Sequence, residues 1–296
     1  MHAIEPEKAR YRNPNLSFGR ETASLWYWFL TGILGLAVAG CQRPVPGPGF
    51  RVATSTSYLE AAAGDLMETE FATIRLAEPG SCPGHFDIRP SQAAELRQCC
   101  ALLRFDFQNS LDGVLEGEGT NHLQIIGVSA GAGLCKPDTY LAICRQVAEG
   151  LVQGEWLART NAGTRMQALA ERMQALAKEC TNRVARAGLT GVPVIASAHQ
   201  KEFCEWLGLK VESSFRAADT ASIAEIDEAI RKGQLAGVKF VIANLPEGRR
   251  TADALAQRLG AKVVVFENFP ALSNGRVSFD AMVRRNIEGL LGAPGR

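Results

Sequence analysis

From Phe50 onward, short runs of β-branched and aliphatic residues alternate with longer stretches in which apolar residues recur every three or four positions. The runs Arg51–Thr54, Thr73–Leu76, Leu102–Phe105 and Leu123–Val128 predict strands. The stretches Tyr58–Met67, Ser91–Cys100 and Pro137 to about Leu151 predict helices, with Pro137 suited to a first helical turn. The same alternation resumes late in the chain. Strands are expected at Val192–Ser197, Lys210–Phe215, Lys239–Ala243 and Lys262–Phe266, and helices at Gln200–Leu207, Ser222–Lys232, Thr251–Leu259 and Ser278–Leu290. Ser222-Ile223-Ala224-Glu225 has the spacing of a capping box. Strands and helices of these lengths in alternation predict βαβ units and parallel sheets.

One stretch breaks the rhythm. Between Thr164 and Ala187, residues Met166, Leu169, Met173, Leu176 and Cys180 form a single apolar stripe, with Glu171, Arg172, Lys178, Glu179 and Arg183 at other positions. Gly188 closes the run as a helix stop. About 24 residues at 1.5 Å each make a helix of roughly 36 Å, the width of a domain. Such a stripe suits an ordinary core helix or a coiled-coil seam, and its place between two βα halves favours a rigid connector. The expected fold is therefore α/β, with two parallel-sheet lobes (residues 50–160 and 189–296) joined by one long helix (161–188).

The first forty residues follow a different pattern. Lys8, Arg10, Arg12 and Arg20 precede an apolar run from Leu25 to Gly40, which ends in Val38-Ala39-Gly40-Cys41. A basic flank, a short apolar core and small residues before a cut site describe an export signal. The last four residues resemble the lipobox of bacterial lipoproteins, so residues 1–41 are expected to be a signal peptide and Cys41 the lipidated first residue of the mature chain. A single membrane-spanning anchor is the alternative. Both place the remainder outside the cytoplasm. Residues 42–49, with three prolines and two glycines, are expected to act as a tether.

Length and charge add bounds. A chain of 296 residues accommodates two domains, and 32 basic against 31 acidic residues give a net charge of +1 with no basic stripe for nucleic acid. Seven cysteines follow Cys41, an odd number that cannot all pair within one chain. Cys144 and Cys180 fall on helical stretches and are expected to be buried free thiols.

The candidate chemistry lies in loops after strands. Ser81 to Pro90 holds Cys82 and His85 three residues apart with Pro83 and Gly84 between them, a composition that excludes regular structure. His199 follows the first strand of the second half, and Glu267 follows Val263-Val264-Val265-Phe266. Ligands of open parallel sheets bind beyond the carboxyl ends of strands. Imidazoles from both halves, a carboxylate and a thiolate would suit zinc, or, with less sulfur, manganese. The structural alternative makes Cys82 a small buried hydrophobe and the others turn or capping groups. His122 precedes a strand and reads as a surface residue, and Asn244 as a turn or supporting group.

At this point the chain resembles the substrate-binding lipoproteins of bacterial ABC transporters for zinc and manganese, over Phe50 to Leu291. The resemblance rests on Arg51-Val-Ala-Thr-Ser-Thr-Ser-Tyr58, on Ile88-Arg89-Pro90-Ser91, on the long middle helix, on His199 and on Val263-Val-Val-Phe-Glu267. It implies two α/β lobes on a rigid helix, one metal ion held between them, delivery to a membrane permease, a monomer, and no enzymatic activity. Carried over by position, His85, His199, Glu267 and Cys82 form the implied metal site, and zinc is the implied ion, with manganese or another transition metal as alternatives. The departures are specific. Where the family reads Asp-Pro-His, this chain has Cys82-Pro83-Gly84, with His85 one residue later. The family's second histidine falls near Ala132 to Cys135, where Cys135 is the nearest donor, and its late aspartate is Glu267. The histidine-rich acidic loop is absent. Two other function classes stand beside this reading: a receptor of the same fold for a non-metal ligand or metal chelate, and an exported enzyme with Cys82 as nucleophile and His85 or His199 as base. Against the enzyme, no third orienting group and no nucleophile-elbow motif accompany Cys82.

Overall fold

A computed structural model describes residues 51–67, 72–79, 88–115, 123–273 and 275–293. The expected leader and tether, together with Cys41, Cys82, His85 and His122, lie outside the described residues.

The first lobe is a four-stranded parallel sheet of β1 (Arg51–Thr54), β2 (Ala72–Arg75), β3 (Ala101–Phe105) and β4 (Gln124–Val128), in the order β2-β1-β3-β4. The second contains β5 (Pro193–Ser197), β6 (Lys210–Phe215), β7 (Phe240–Asn244) and β8 (Lys262–Phe266), in the order β6-β5-β7-β8. The two orders are equivalent, although no sequence repeat relates the halves. In each sheet the chain runs to one side of the first strand and then crosses to the other. The order therefore reverses between β1 and β3, and again between β5 and β7. Register follows the pattern, with Val52 opposite Ala101 and Ile195 opposite Val241. Central strands are buried almost throughout, as the unbroken apolar runs of β5 and β7 require. The edge strands β2 and β6 keep exposed or half-buried positions.

Helices α1 (Ser57–Met67), α2 (Pro90–Leu96), α3 (Ser110–Leu115) and α4 (Pro137–Gln153) belong to the first half of the chain. The α2 helix begins one residue before the expected Ser91, with Pro90 in its first turn and the Gln92 side chain accepting from Arg89 N–H at 3.0 Å. It ends at Leu96, since Ala101 already pairs with β1. The connector α5 runs over Arg159–Arg186, 28 residues and about 42 Å at 1.5 Å per residue. It buries Leu169, Met173, Leu176 and Cys180, as the stripe predicts, together with Ala162 and Val184, while Met166 is only half-buried. It starts five residues before Thr164 because Ala162 docks into the core ahead of that point.

After α5 come α6 (Lys201–Trp206), α7 (Ile223–Ala236), α8 (Arg250–Leu259) and α9 (Phe279–Gly292). A short antiparallel hairpin, β9 (Leu272–Ser273) and β10 (Arg276–Val277), precedes α9. The capping box at Ser222 forms as read: Ser222 Oγ accepts from Glu225 N–H at 3.2 Å, and Glu225 Oε2 accepts from Ser222 N–H at 2.8 Å.

One hydrophobic core spans both sheets and the connector, from Val52 and Leu103 through Leu169 and Met173 to Ile242 and Phe266. On the polar side of α5, Arg172 holds Asp65 of α1 at 3.0 Å and lies 3.3 Å from Asp280 of α9, and Glu179 pairs with Arg284 of α9 at 2.8 Å. The long helix thus ties both halves by apolar and ionic contacts on different faces. Cys144 and Cys180 are buried free thiols, as expected. No helix among the described residues is long and apolar enough to cross a membrane.

Candidate metal-binding cleft

Where strand order reverses, the loops leaving the two neighbouring strands diverge and leave a crevice at their carboxyl ends. Each lobe places a pair of polar residues across that crevice. In the first, Ser55 after β1 donates to Gln108 Oε1 after β3 at 2.6 Å, and the same oxygen accepts from Phe105 N–H at 3.1 Å. Both side chains are buried.

The second lobe does the same with ionisable groups. Strand β5 ends in buried Ser197, and the turn that follows presents His199 ahead of α6. Strand β7 ends in Asn244 and enters a single 3₁₀ turn, Leu245–Glu247, closed by Gly248 at φ +73°. That turn brings the Glu247 carboxylate back over β5. Glu247 Oε2 accepts from Ser197 Oγ–H at 2.5 Å, and Oε1 lies 2.6 Å from His199 Nδ1. The carboxylate is sheltered at 14% exposure and the imidazole stands outward at 65%. The hydrogen bond to Glu247 raises the pKa of His199 despite some desolvation. Burial works to raise the Glu247 pKa, but hydrogen bonds from His199, Ser197 and Asn244 outweigh it and bring the carboxyl below its usual value.

A buried amide network continues inward. Gln200 Nε2 donates to Asn244 Oδ1 at 3.1 Å and to Asn268 Oδ1 at 2.6 Å. Cys135, from the loop after β4, reaches the same cluster, with Glu267 O at 3.0 Å and Asn268 Oδ1 at 3.2 Å within range of its single S–H. Asn286 of α9 brackets Glu267 on the backbone, accepting from its N–H at 2.8 Å and donating to its C=O at 3.0 Å. Burial pushes the Cys135 thiol up, against a partly offsetting bond with Gln200, so at neutral pH it is a protonated donor within the joint. The approach of the loop is close. Gly133 has φ +72°, and a Cβ there would meet Lys136 Cε at 2.8 Å and Glu202 Cβ of α6 at 3.0 Å. Glycine satisfies both the backbone angle and the contact.

The residues singled out from sequence fall as follows. His199 stands at the crevice of the second lobe. Glu267 lies at the end of β8, but both carboxylate oxygens engage Arg285, at 3.0 and 2.8 Å. Among the described residues no three His, Cys, Asp or Glu side chains gather closely enough to hold a metal ion. Glu247, Ser197, Gln200 and Asn268 were not anticipated. A signal existed for Glu247, the only acidic residue in the Leu245–Arg249 turn after β7.

The family model described as ZnuA, zinc-uptake complex component A, periplasmic, matches residues 52–293. Several solved structures are similar in fold. A zinc-bound internal-deletion variant of ZnuA superposes with a TM-score of 0.68 at 13% identity, covering 84% of this chain and 99% of that one. Manganese-bound and cadmium-bound forms of a periplasmic metal-binding protein from Candidatus Liberibacter asiaticus each superpose with a TM-score of 0.66, at 12% and 13% identity, covering 82% of this chain and 98% of theirs. At such identities the likeness establishes the two-lobed architecture. No curated protein sequence matches.

Proposed function

Because the chain belongs to the family of periplasmic A components of zinc-uptake complexes, we propose that it captures a divalent transition-metal ion between its lobes, zinc foremost, and delivers it to an ABC permease. The observation that carries this reading is His199, fixed through Nδ1 by Glu247 at the strand-order reversal of the second lobe, with its ring otherwise outward. A neutral imidazole so held has its other nitrogen available to a borderline metal.

The remaining donors are proposed from the sequence. Cys82 and His85 lie in the segment between β2 and α2, and β2 ends at the carboxyl edge of the first sheet. Glu267 would join them by exchanging Arg285 for the cation. A sulfur-containing set favours zinc over manganese, and manganese or another transition metal is the alternative cargo. The protein acts by binding and release, as a monomer without enzymatic chemistry. It is held at the membrane by a lipid on Cys41 and faces the periplasm or cell exterior.

A second reading, capture of a metal chelate, is favoured by the Glu267–Arg285 pair, which leaves the described part of the cleft poor in free anionic donors. Metal analysis of the purified protein, with and without a chelator, separates the two. Stoichiometric zinc that a chelator removes, and that returns on adding the bare ion, supports direct capture. A protein that ignores free zinc but is stabilised by a zinc chelate supports the second reading.

A further inference from the structure

We propose that Glu247 is the positioning residue for the metal-binding imidazole, locking His199 into the tautomer that presents Nε2 to the cation, with Ser197 holding the carboxylate in place. The inference rests on the reading of His199 as a donor to the metal.

Four observations carry it. The Glu247–His199 contact is 2.6 Å and goes to Nδ1, so an ionised Glu247 requires the proton on that nitrogen and leaves the lone pair on Nε2. The second oxygen of Glu247 accepts from Ser197 at 2.5 Å, and Ser197 Oγ also accepts from His199 N–H at 3.3 Å. Carboxylate, hydroxyl and the backbone of the histidine itself therefore close a ring that resists rotation of the glutamate. Behind it, Gln200, the residue next to His199, donates to Asn244 and to Asn268, and Asn268 lies beside Cys135. The histidine's support thus reaches, through buried amides, the joint with the other lobe. Finally, the two members come from loops on opposite sides of the β5/β7 reversal, joined only because those strands are neighbours.

An exposed imidazole without such a partner samples both tautomers, and only one has Nε2 free. Outer hydrogen bonds of this kind change metal affinity by about 10- to 100-fold when removed. The test has two readouts. The first needs no metal: long-range ¹H–¹⁵N spectra of the metal-free protein at mildly alkaline pH, with His199 assigned by its loss in His199→Ala. Wild type should show a single Nδ1–H tautomer, and Glu247→Gln should show a mixture. The second is zinc affinity by competition with a chromophoric chelator. Glu247→Gln should bind about 10- to 100-fold more weakly while still folding cooperatively in the metal-free state, and Ser197→Ala should show a smaller loss. A tautomer mixture in wild type overturns the proposal. So does wild-type zinc affinity in Glu247→Gln alongside weakened binding in His199→Ala, a result that would leave His199 as a ligand. If His199→Ala itself binds zinc as wild type does, the ligand reading falls and this proposal falls with it.

Discussion

Tyr140 of α4 and Phe279 of α9 stack face to face, with ring centroids 4.0 Å apart and planes 7° from parallel. One ring comes from the first half of the chain and the other from its last helix, and both are fully buried. Tyr58 closes the cluster at 5.4 Å from Tyr140 and 5.8 Å from Phe279, and its hydroxyl donates to Leu134 O at 2.8 Å beside Cys135. The two halves therefore share one interior directly behind the cleft. Phe279→Ala should lower stability by about 3–5 kcal/mol. Wild type should unfold in denaturant as a single transition by both fluorescence and far-UV dichroism, and two separated transitions would refute a shared core.

The connector makes a second case. Met173 is 2% exposed on the inner stripe of α5, whereas Glu171 points to solvent. Met173→Asp buries an unpaired charge and should cost several kcal/mol, and Glu171→Lys less than about half a kcal/mol. Chemical denaturation of the two variants checks the orientation of the helix.

Asp280 supplies a pH dependence. Burial raises its pKa, with Asp65 adding to the effect, while Arg172 and Arg284 oppose it. A carboxyl whose folded-state pKa is raised takes up its proton more readily in the folded form. Its contribution is complete below the unfolded pKa and is lost as pH rises through the folded value. Relative to Asp280→Asn, wild type should therefore gain stability as pH falls through the carboxylate range. A difference between the two that stays flat with pH would contradict the shift.

Zinc should stabilise the folded protein in proportion to RT ln(1 + [L]/Kd), about 2.7 kcal/mol at a hundredfold excess over Kd. The melting temperature of wild type should rise by several degrees, and that of His199→Ala by much less. Cys82→Ser addresses the sulfur donor. If zinc keeps the same advantage over manganese in that variant, the thiolate is not in the site.

The proposed export and anchoring rest on Val38-Ala39-Gly40-Cys41. Cys41→Ser should abolish lipid labelling and shift the protein out of the membrane fraction, or leave it unprocessed. Labelling and processing identical to wild type would exclude the lipoprotein reading.

Pattern along the chain was enough to specify the elements and their class. The apolar runs of β5, β7 and β8, the Ser222–Glu225 cap and the Met173 stripe each report burial within a few residues, which is local information. The short α3 helix and the β9–β10 hairpin escaped because six and two residues carry too little periodicity to register. Charge occupancy was also hidden. Glu267 reads as a free carboxylate at a strand end, and only the helical position of Arg285, 18 residues later, reveals its counter-ion. The same holds more strongly for His199. Its partner Glu247 lies 48 residues away, past two helices and two strands. Periodicity tells which face of an element is buried but not which strands lie side by side. The order β6-β5-β7-β8, settled by how the helices cover the sheet, is what sets the two loops against each other and makes an imidazole and a carboxylate into one unit.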